Sequence, residues 1–97
     1  MAGYIILGKW TDKGIAELKN SPERMKQSRA AAEKLGGKVV GMWVTMGQYD
    51  GVIVLDMPSD QAASLFALGM ARQGAATTQT MRAYSEEEFA QLVAKLP

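Results

Sequence analysis

The chain has 97 residues, a formal net charge of +1, and is 47% hydrophobic and 22% charged, the composition of a single globular domain over residues 1–97. It contains neither cysteine nor histidine, which excludes disulfides, thiolate or imidazole catalysis and zinc sites with sulfur or nitrogen ligands. No run of about 20 apolar residues suggests a membrane span. No basic segment precedes the N-terminal apolar run, so we expect no signal peptide and a cytoplasmic protein.

The first third of the chain predicts one strand followed by two helices. Residues 2–10 alternate in the manner of a strand. Thr11 is a candidate N-cap, and apolar residues then recur at helical spacing. A Pro directly after Ser21 is a second helix start, so we expect helices over about 12–19 and 22–35, with Ser21 as the second cap.

The remaining elements follow from turn and capping signals. Residues 38–46 and 49–56 predict two strands joined by a short Gly-Gln turn, which is typical of a hairpin. A helix is expected over 59–74, from a Ser cap to a closing Gly. The Thr-rich residues 75–84 alternate as a fourth strand, and a capping box predicts a last helix over 85–96.

The resulting element order is β-α-β-β-α-β with a C-terminal helix. A right-handed first crossover places the third strand between the first and the second. The fold class is therefore α+β, a ferredoxin-like four-stranded antiparallel sheet with both long helices on one face.

Both faces of the predicted sheet carry apolar side chains, although helices cover only one of them. In the first strand, Tyr4, Ile6 and Trp10 are expected on one face and Ile5 and Leu7 on the other. In the second strand, Val39 and Trp43 are expected opposite Val40, Met42 and Val44. In the third strand, Tyr49, Ile53 and Leu55 are expected opposite Val52 and Val54. Such a patch is larger than a monomer usually exposes. We therefore expect a homodimer or higher homo-oligomer, packed sheet to sheet as a dimeric α/β barrel. The alternative is that the terminal helix folds under the sheet.

Five segments of the chain together form a recognisable pattern. They are the run from Met46 to Asp60, Thr11-Asp12-Lys13-Gly14, Leu35-Gly36-Gly37-Lys38, Thr78 to Ala83, and Ser85 to Phe89. In this order and spacing they resemble the GYD-domain proteins, a family of small bacterial proteins. Gln48 separates Gly47 from Tyr49, so the motif here is Gly-x-Tyr-Asp. The resemblance implies a dimeric ferredoxin-like α+β barrel, and it implies no established activity, substrate or catalytic residue.

Tyr49 and Asp50 are the adjacent polar residues that the sequence most strongly suggests as a functional pair. Asp is disfavoured in strands, so a specific interaction is expected to hold Asp50. In the functional interpretation, Asp50 is a base or a ligand anchor at the mouth of the barrel. In the structural interpretation, its carboxylate accepts backbone N–H groups of the hairpin turn while Tyr49 packs on the barrel.

Four further residues are candidates for ligand binding. Arg82 shares a strand face with Thr78 and Thr80, where it would clamp an anion or pair with Asp50 or Asp56. The other three are aromatic side chains that would line an apolar cavity or form the dimer core: Tyr4, Trp10 and Trp43.

Two classes of function remain open. The first is a homo-oligomeric barrel that binds a small, mostly apolar ligand or serves as an assembly module. The alternative is a cofactor-free enzyme acting on a small activated organic substrate, with Asp50 as its base. We expect no cofactor. We also expect no metal at an all-oxygen site of Asp50, Asp56 and Asp60, because residues 50 and 56 are about 20 Å apart along an extended strand. The basic residues between 13 and 38 are intermixed with acids, so we expect a solvated helix face and no nucleic-acid partner.

Overall fold

The computed structural model describes all residues from Met1 to Pro97. Its elements are β1 (Ala2–Trp10), α1 (Asp12–Ala16), α2 (Ser21–Lys34), β2 (Lys38–Val44), β3 (Gly51–Met57), α3 (Asp60–Gln73), β4 (Ala76–Ala83) and α4 (Glu86–Ala94). A 3₁₀ turn over Leu18–Asn20 links α1 to α2.

The four strands form one antiparallel sheet in the order β2-β3-β1-β4. The third strand thus lies between the first and the second, and the predicted ferredoxin-like α+β fold is confirmed. In the centre of the sheet, Ile6 pairs with Ile53 of β3 and with Thr80 of β4. Paired residues in an antiparallel sheet point to the same face, so this register assigns every strand residue to one side.

The core lies between one face of the sheet and the helices α2 and α3. Its nine buried residues come from both layers: Tyr4, Ile6, Ile53, Leu55, Met57, Ala32, Ala62, Ala63 and Phe66. The predicted face of β1 is confirmed, because Tyr4 and Ile6 pair with Leu55 and Ile53 on this side. The small alanines of the helices allow the two layers to approach closely.

Three of the four helices have the predicted N-caps. The hydroxyl of Thr11 accepts the N–H of Gly14 at 3.2 Å, and that of Ser59 accepts the N–H of Ala62 at 3.1 Å. Ser85 and Glu88 exchange side-chain and backbone bonds as a complete capping box. These bonds satisfy N–H groups that a helix start otherwise leaves without a partner.

The expected cap of α2 is wrong. Ser21 is the first helical residue rather than the cap, and Asn20 occupies the N-cap position without a side-chain hydrogen bond. The chain enters α2 directly from the 3₁₀ turn, with Asn20 already in a helical conformation at φ −84° and ψ −4°. A cap needs an extended backbone, which this entry does not provide.

A β-bulge in β2 overturns the predicted faces of that strand. Val39 pairs with Leu55, but the next pairs are Gly41 with Val54 and Trp43 with Val52. One extra residue in a strand shifts all later side chains to the opposite face. Trp43 therefore does not share a face with Val39; it lies on the side of the sheet that carries no helix.

The connection between β2 and β3 is longer than the predicted Gly-Gln turn. Residues 45–50 form a loop that is closed by Thr45, whose N–H donates to the Asp50 carbonyl at 2.8 Å and whose hydroxyl donates to the Tyr49 carbonyl at 2.6 Å. Tyr49 and Asp50 thus lie in this loop rather than in β3, which begins at Gly51. The side-chain hydroxyl of Thr45 adds a hydrogen bond to the loop backbone beside the bond that its N–H makes.

Helix α4 does not fold under the sheet, so that alternative is wrong. None of its residues is buried, and its three large apolar side chains, Phe89, Leu92 and Val93, are 45–60% exposed. The radius of gyration is 14.5 Å, against about 13 Å for a compact chain of this size. The protruding α4 is consistent with this extended shape. No helix in the structure has the length and apolar character needed to span a membrane.

Candidate functional site

Asp50 is held by the end of β1. Its carboxylate oxygen Oδ2 accepts the backbone N–H of Trp10 at 2.9 Å, and its own N–H donates to the Gly8 carbonyl at 2.8 Å. The structural interpretation expected backbone donors from the hairpin turn, whereas the donor lies on the neighbouring strand. These two bonds fix the loop 45–50 against β1 and leave Oδ1 without a hydrogen bond inside the chain.

Tyr49 turns away from Asp50, towards the helix-free side of the sheet. The ammonium of Lys9 lies 5.5 Å from the centroid of its ring, and its hydroxyl donates to Gln79 Oε1 at 3.4 Å. Lys9 and Gln79 both belong to the face without helices, by the register of β1 and β4. The adjacent pair that the sequence singled out is therefore split between two environments.

A cavity of about 140 Å³ lies between the sheet and the helices, beside Asp50. The register places Trp10, Ile6 and Ile53 on the sheet side of this cavity. The methionines that line it come from α2, β2 and α3: Met25, Met42 and Met70. The predicted candidates Trp10 and Asp50 thus meet here, since both line the cavity.

Trp43 also borders this cavity, but its ring lies on the other face of the sheet. A Cβ atom added at Gly41 would come within 2.3 Å of the indole ring of Trp43. The ring therefore covers Gly41, which needs to be a glycine for this close approach. Trp43 remains 55% exposed, the larger part of a hydrophobic side chain in solvent.

Tyr4 is buried in the core and anchors the start of α3. Its hydroxyl donates to the carboxylate of Asp60, the first residue of that helix. This hydrogen bond, together with burial, raises the pKa of Tyr4 above its ordinary value of 10.0, because the carboxylate favours the protonated phenol. Tyr4 is absent from the cavity lining, so it is placed in a packing role.

Arg82 pairs with Glu88, and not with Asp50 or Asp56 as the sequence suggested. Its guanidinium lies 3.3 Å from Glu88 Oε2, donates to the Gly3 carbonyl at 3.1 Å and stacks 4.5 Å from the ring centroid of Tyr84. The N–H of Ser85 and then Arg82 hold the pKa of the Glu88 carboxyl below its usual value. The capping box of α4 brings Glu88 within reach of Arg82.

The candidate residues therefore separate into three places. Trp10 and Asp50 border the cavity, Tyr4 and Arg82 lie near the starts of α3 and α4, and the two remaining candidates, Trp43 and Tyr49, lie on or beside the helix-free face. The sequence did not single out the three cavity methionines as a group, because they come from different elements. The only sequence signal for these methionines is the apolar periodicity of the separate element in which each one lies. No group of three or more acidic side chains converges as a metal site.

The sheet order, the single helical layer and the cavity beneath it define a ferredoxin-like α+β domain. Residues 4–93 match the family model of the GYD domain, and the chain belongs to that family. It is also 31% identical over 97 residues to a protein of Thermus thermophilus named glutamine synthetase and cystathionine beta-lyase binding protein. That alignment covers 99% of each chain.

Two solved structures share the fold at low sequence identity. The crystal structure of FFRP-DM1 matches with a TM-score of 0.61 at 21% identity, over 87% of this chain and 100% of that one. The hypothetical protein PHS023 from Pyrococcus horikoshii matches with a TM-score of 0.60 at 22% identity, over 89% and 93% of the two chains. These likenesses establish the fold alone.

Proposed function

We propose that this protein is a non-catalytic binding protein that works as a homodimer and whose client is another protein, an enzyme. The full-length relative that is named for binding two enzymes supports a protein client. The observation that carries the proposal is that a single chain exposes apolar side chains on the helix-free face of the sheet, Trp43 and Met81 among them, and along α4. A protein that acted alone would bury or dilute such surfaces.

The first surface is the helix-free face of the sheet, here called the open face. Its apolar side chains are Ile5, Leu7, Trp43, Val52, Val54 and Met81. Charged side chains stand only towards the ends of this face, with Lys9 at one end and the pair Lys38 and Asp56 at the other. An apolar centre with a polar rim is the usual anatomy of a protein interface.

A second copy of the chain is the occupant that fits the open face. Two such sheets pack face to face about 10 Å apart, with their inner side chains interdigitating. A two-fold axis lets one flat patch cover itself, so no second kind of surface is needed. The homodimer predicted from the sequence follows the same reasoning, and the absence of a covering helix supports it.

The second surface is the apolar side of α4, which we assign to the client. This helix protrudes from the domain, is stabilised at its N-terminus by the capping box, and exposes Phe89 by 60% and Val93 by 46%. An amphipathic helix of this kind binds by laying its apolar side into a groove of the partner. The acidic first turn, Glu86 to Glu88, favours a basic rim around that groove.

The assignment is tested by co-elution of the purified protein with glutamine synthetase and with cystathionine β-lyase on gel filtration. The variant Phe89→Ser is expected to abolish co-elution, while the control Glu87→Ser on the same helix keeps it. If Phe89→Ser dissociates the homodimer instead, α4 belongs to the dimer and not to the client site. If the wild type co-elutes with neither enzyme, a client of this class is refuted.

The enzyme alternative, with Asp50 as base, stays a prediction. The hydrogen bond from the backbone of Trp10 gives the Asp50 carboxylate a structural role in holding the loop 45–50. The conservative variant Asp50→Asn keeps an acceptor for that bond and removes the base. An activity that this variant abolishes without changing the melting temperature would restore the enzyme hypothesis.

A further inference from the structure

We infer that the cavity between the sheet and α2 and α3 binds a small molecule of one aromatic ring that carries a hydrogen-bond donor. Most of the residues that line this cavity lie in α2, in α3 and on the side of the sheet that these helices cover, although Trp43 and Val52 of the open face reach its border. No residue of α4 lines it. The ligand site therefore shares no residue with the proposed client surface on α4.

The size of the cavity sets the size of the ligand. Its volume is about 140 Å³. An engineered apolar cavity of about 150 Å³ in another protein remains dry and takes up benzene. A single six-membered ring therefore fits this cavity, which is partly open to solvent.

The walls favour an aromatic ring over an aliphatic one. Three methionines, Met25, Met42 and Met70, reach the cavity from three different elements, and Trp10 lies half-buried beside them. Thioether sulfurs contact the edges of aromatic rings favourably, and their flexible side chains adapt to a bound ring. Offset or edge-to-face contact between the indole ring of Trp10 and the ring of the ligand stabilises the bound state further.

The two charged residues that line the cavity, Arg24 and Asp50, favour a ligand that carries a hydrogen-bond donor. Arg24 lines it too, but its guanidinium is paired with the carboxylate of Glu17. Asp50 has no ion-pair partner, and only its Oδ2 is occupied, by the N–H of Trp10. The site therefore presents one uncompensated negative charge with a free oxygen, which attracts an O–H or N–H group and repels an anion.

The experiment uses ¹³C-methyl methionine NMR on the full chain, with phenol, toluene and benzoate as probes. Phenol is expected to give saturable shifts of the Met25, Met42 and Met70 methyl signals, and toluene weaker ones. Benzoate is expected to give none. The signals of Met46, which is 99% exposed, and of Met81 on the open face serve as internal references.

Two classes of variant test separately how the ring of the ligand and its hydrogen-bond donor contribute to binding. Met70→Trp fills the cavity and is expected to abolish binding of both phenol and toluene, while the matched surface control Met46→Trp changes neither. Ser28→Leu narrows the same cavity from α2 and replaces Met70→Trp as the test if that variant does not fold. Asp50→Asn should weaken phenol binding by about tenfold, because a charge-assisted hydrogen bond becomes a neutral one, and leave toluene unchanged.

Some outcomes overturn the inference. Phenol shifts confined to Met46 or Met81 place binding on the surface, and an affinity unchanged in the folded cavity-filling variant does the same. An absence of any saturable shift in the wild type refutes the site. An equal loss of phenol and toluene binding in Asp50→Asn refutes the role assigned to its carboxylate.

Discussion

Removing the Trp43 side chain is the sharpest perturbation of the proposed homodimer. Trp43 projects from β2 onto the open face, where its ring lies against Gly41 and is otherwise in solvent. Because the residue is 55% exposed in one chain, the substitution Trp43→Ala removes little from the protomer's own core. Its effect on association can therefore be read apart from its effect on folding.

The magnitude follows from the exposed area. A tryptophan offers up to about 250 Å², so 55% exposure leaves roughly 140 Å² to be covered in the dimer. At about 25 cal/mol per Å², this area is worth about 3.5 kcal/mol per protomer as an upper limit. Interface tryptophans typically realise about 2–4 kcal/mol on truncation, and the substitution removes one from each protomer, so the dimer loses about 4–8 kcal/mol and its dissociation constant is expected to rise at least about 1,000-fold.

Sedimentation equilibrium over a range of protein concentrations measures that constant directly. Leu68→Ala provides the control, because Leu68 is 61% exposed on α3, in the helical layer away from the open face, and should leave association unchanged. The proposed dimer surface is refuted if Trp43→Ala associates as tightly as the wild type. It is refuted equally if the wild type sediments as a 10.5 kDa monomer at every concentration.

Three further sets of substitutions test local features of the fold. Gly69→Ala in α3, with no atom within 4 Å of the added Cβ, should raise the free energy of unfolding in urea by about 1 kcal/mol. Gly37→Ala, whose Cβ would lie 2.3 Å from a backbone oxygen, should lower it by about 1–3 kcal/mol. Tyr4→Phe should lower it by about 1–2 kcal/mol at neutral pH, because a partly buried hydrogen bond to the Asp60 carboxylate is lost. The pKa of Tyr4 in the folded protein lies above 10.0, so the stability that its hydrogen bond contributes is lost as the pH rises through that pKa. Tyr4→Phe should lack this loss of stability at alkaline pH. Glu88→Gln keeps the capping hydrogen bonds of α4 but removes the negative charge. Because the pKa of Glu88 in the folded protein is depressed, its carboxylate stabilises α4 above pH 4.5, and this stabilisation is lost in more acidic solution. The variant should lack this acid dependence.

Each of these predictions has a contradicting result. Equal effects of the two glycine substitutions would show that close packing does not distinguish their positions. An alkaline transition that is unchanged in Tyr4→Phe would assign it to another group. Circular dichroism should show α4 losing helicity in the wild type as the pH falls below 4.5, and an identical acid transition in Glu88→Gln would remove the role of that carboxylate.

The sequence alone was sufficient for the elements and their order. Caps such as Thr11, Ser59 and Ser85, and the terminating Gly74, act through hydrogen bonds and dihedral angles within a few residues, so they can be read locally. Strand alternation in β1 predicted the buried side of Tyr4 and Ile6 for the same reason. The family resemblance rested on these same segments and is confirmed by the family model.

Tertiary structure decided the faces, the partners and the site. The bulge in β2 depends on pairing with β3, and it alone moves Trp43 to the open face. The partners of Asp50 and Tyr4 lie 40 and 56 residues away in the chain, on the end of β1 and the start of α3. Periodicity carries information over one or two turns, whereas a cavity or an ion pair depends on how separate elements pack. For that reason the sequence could name candidate residues but not the places where they meet.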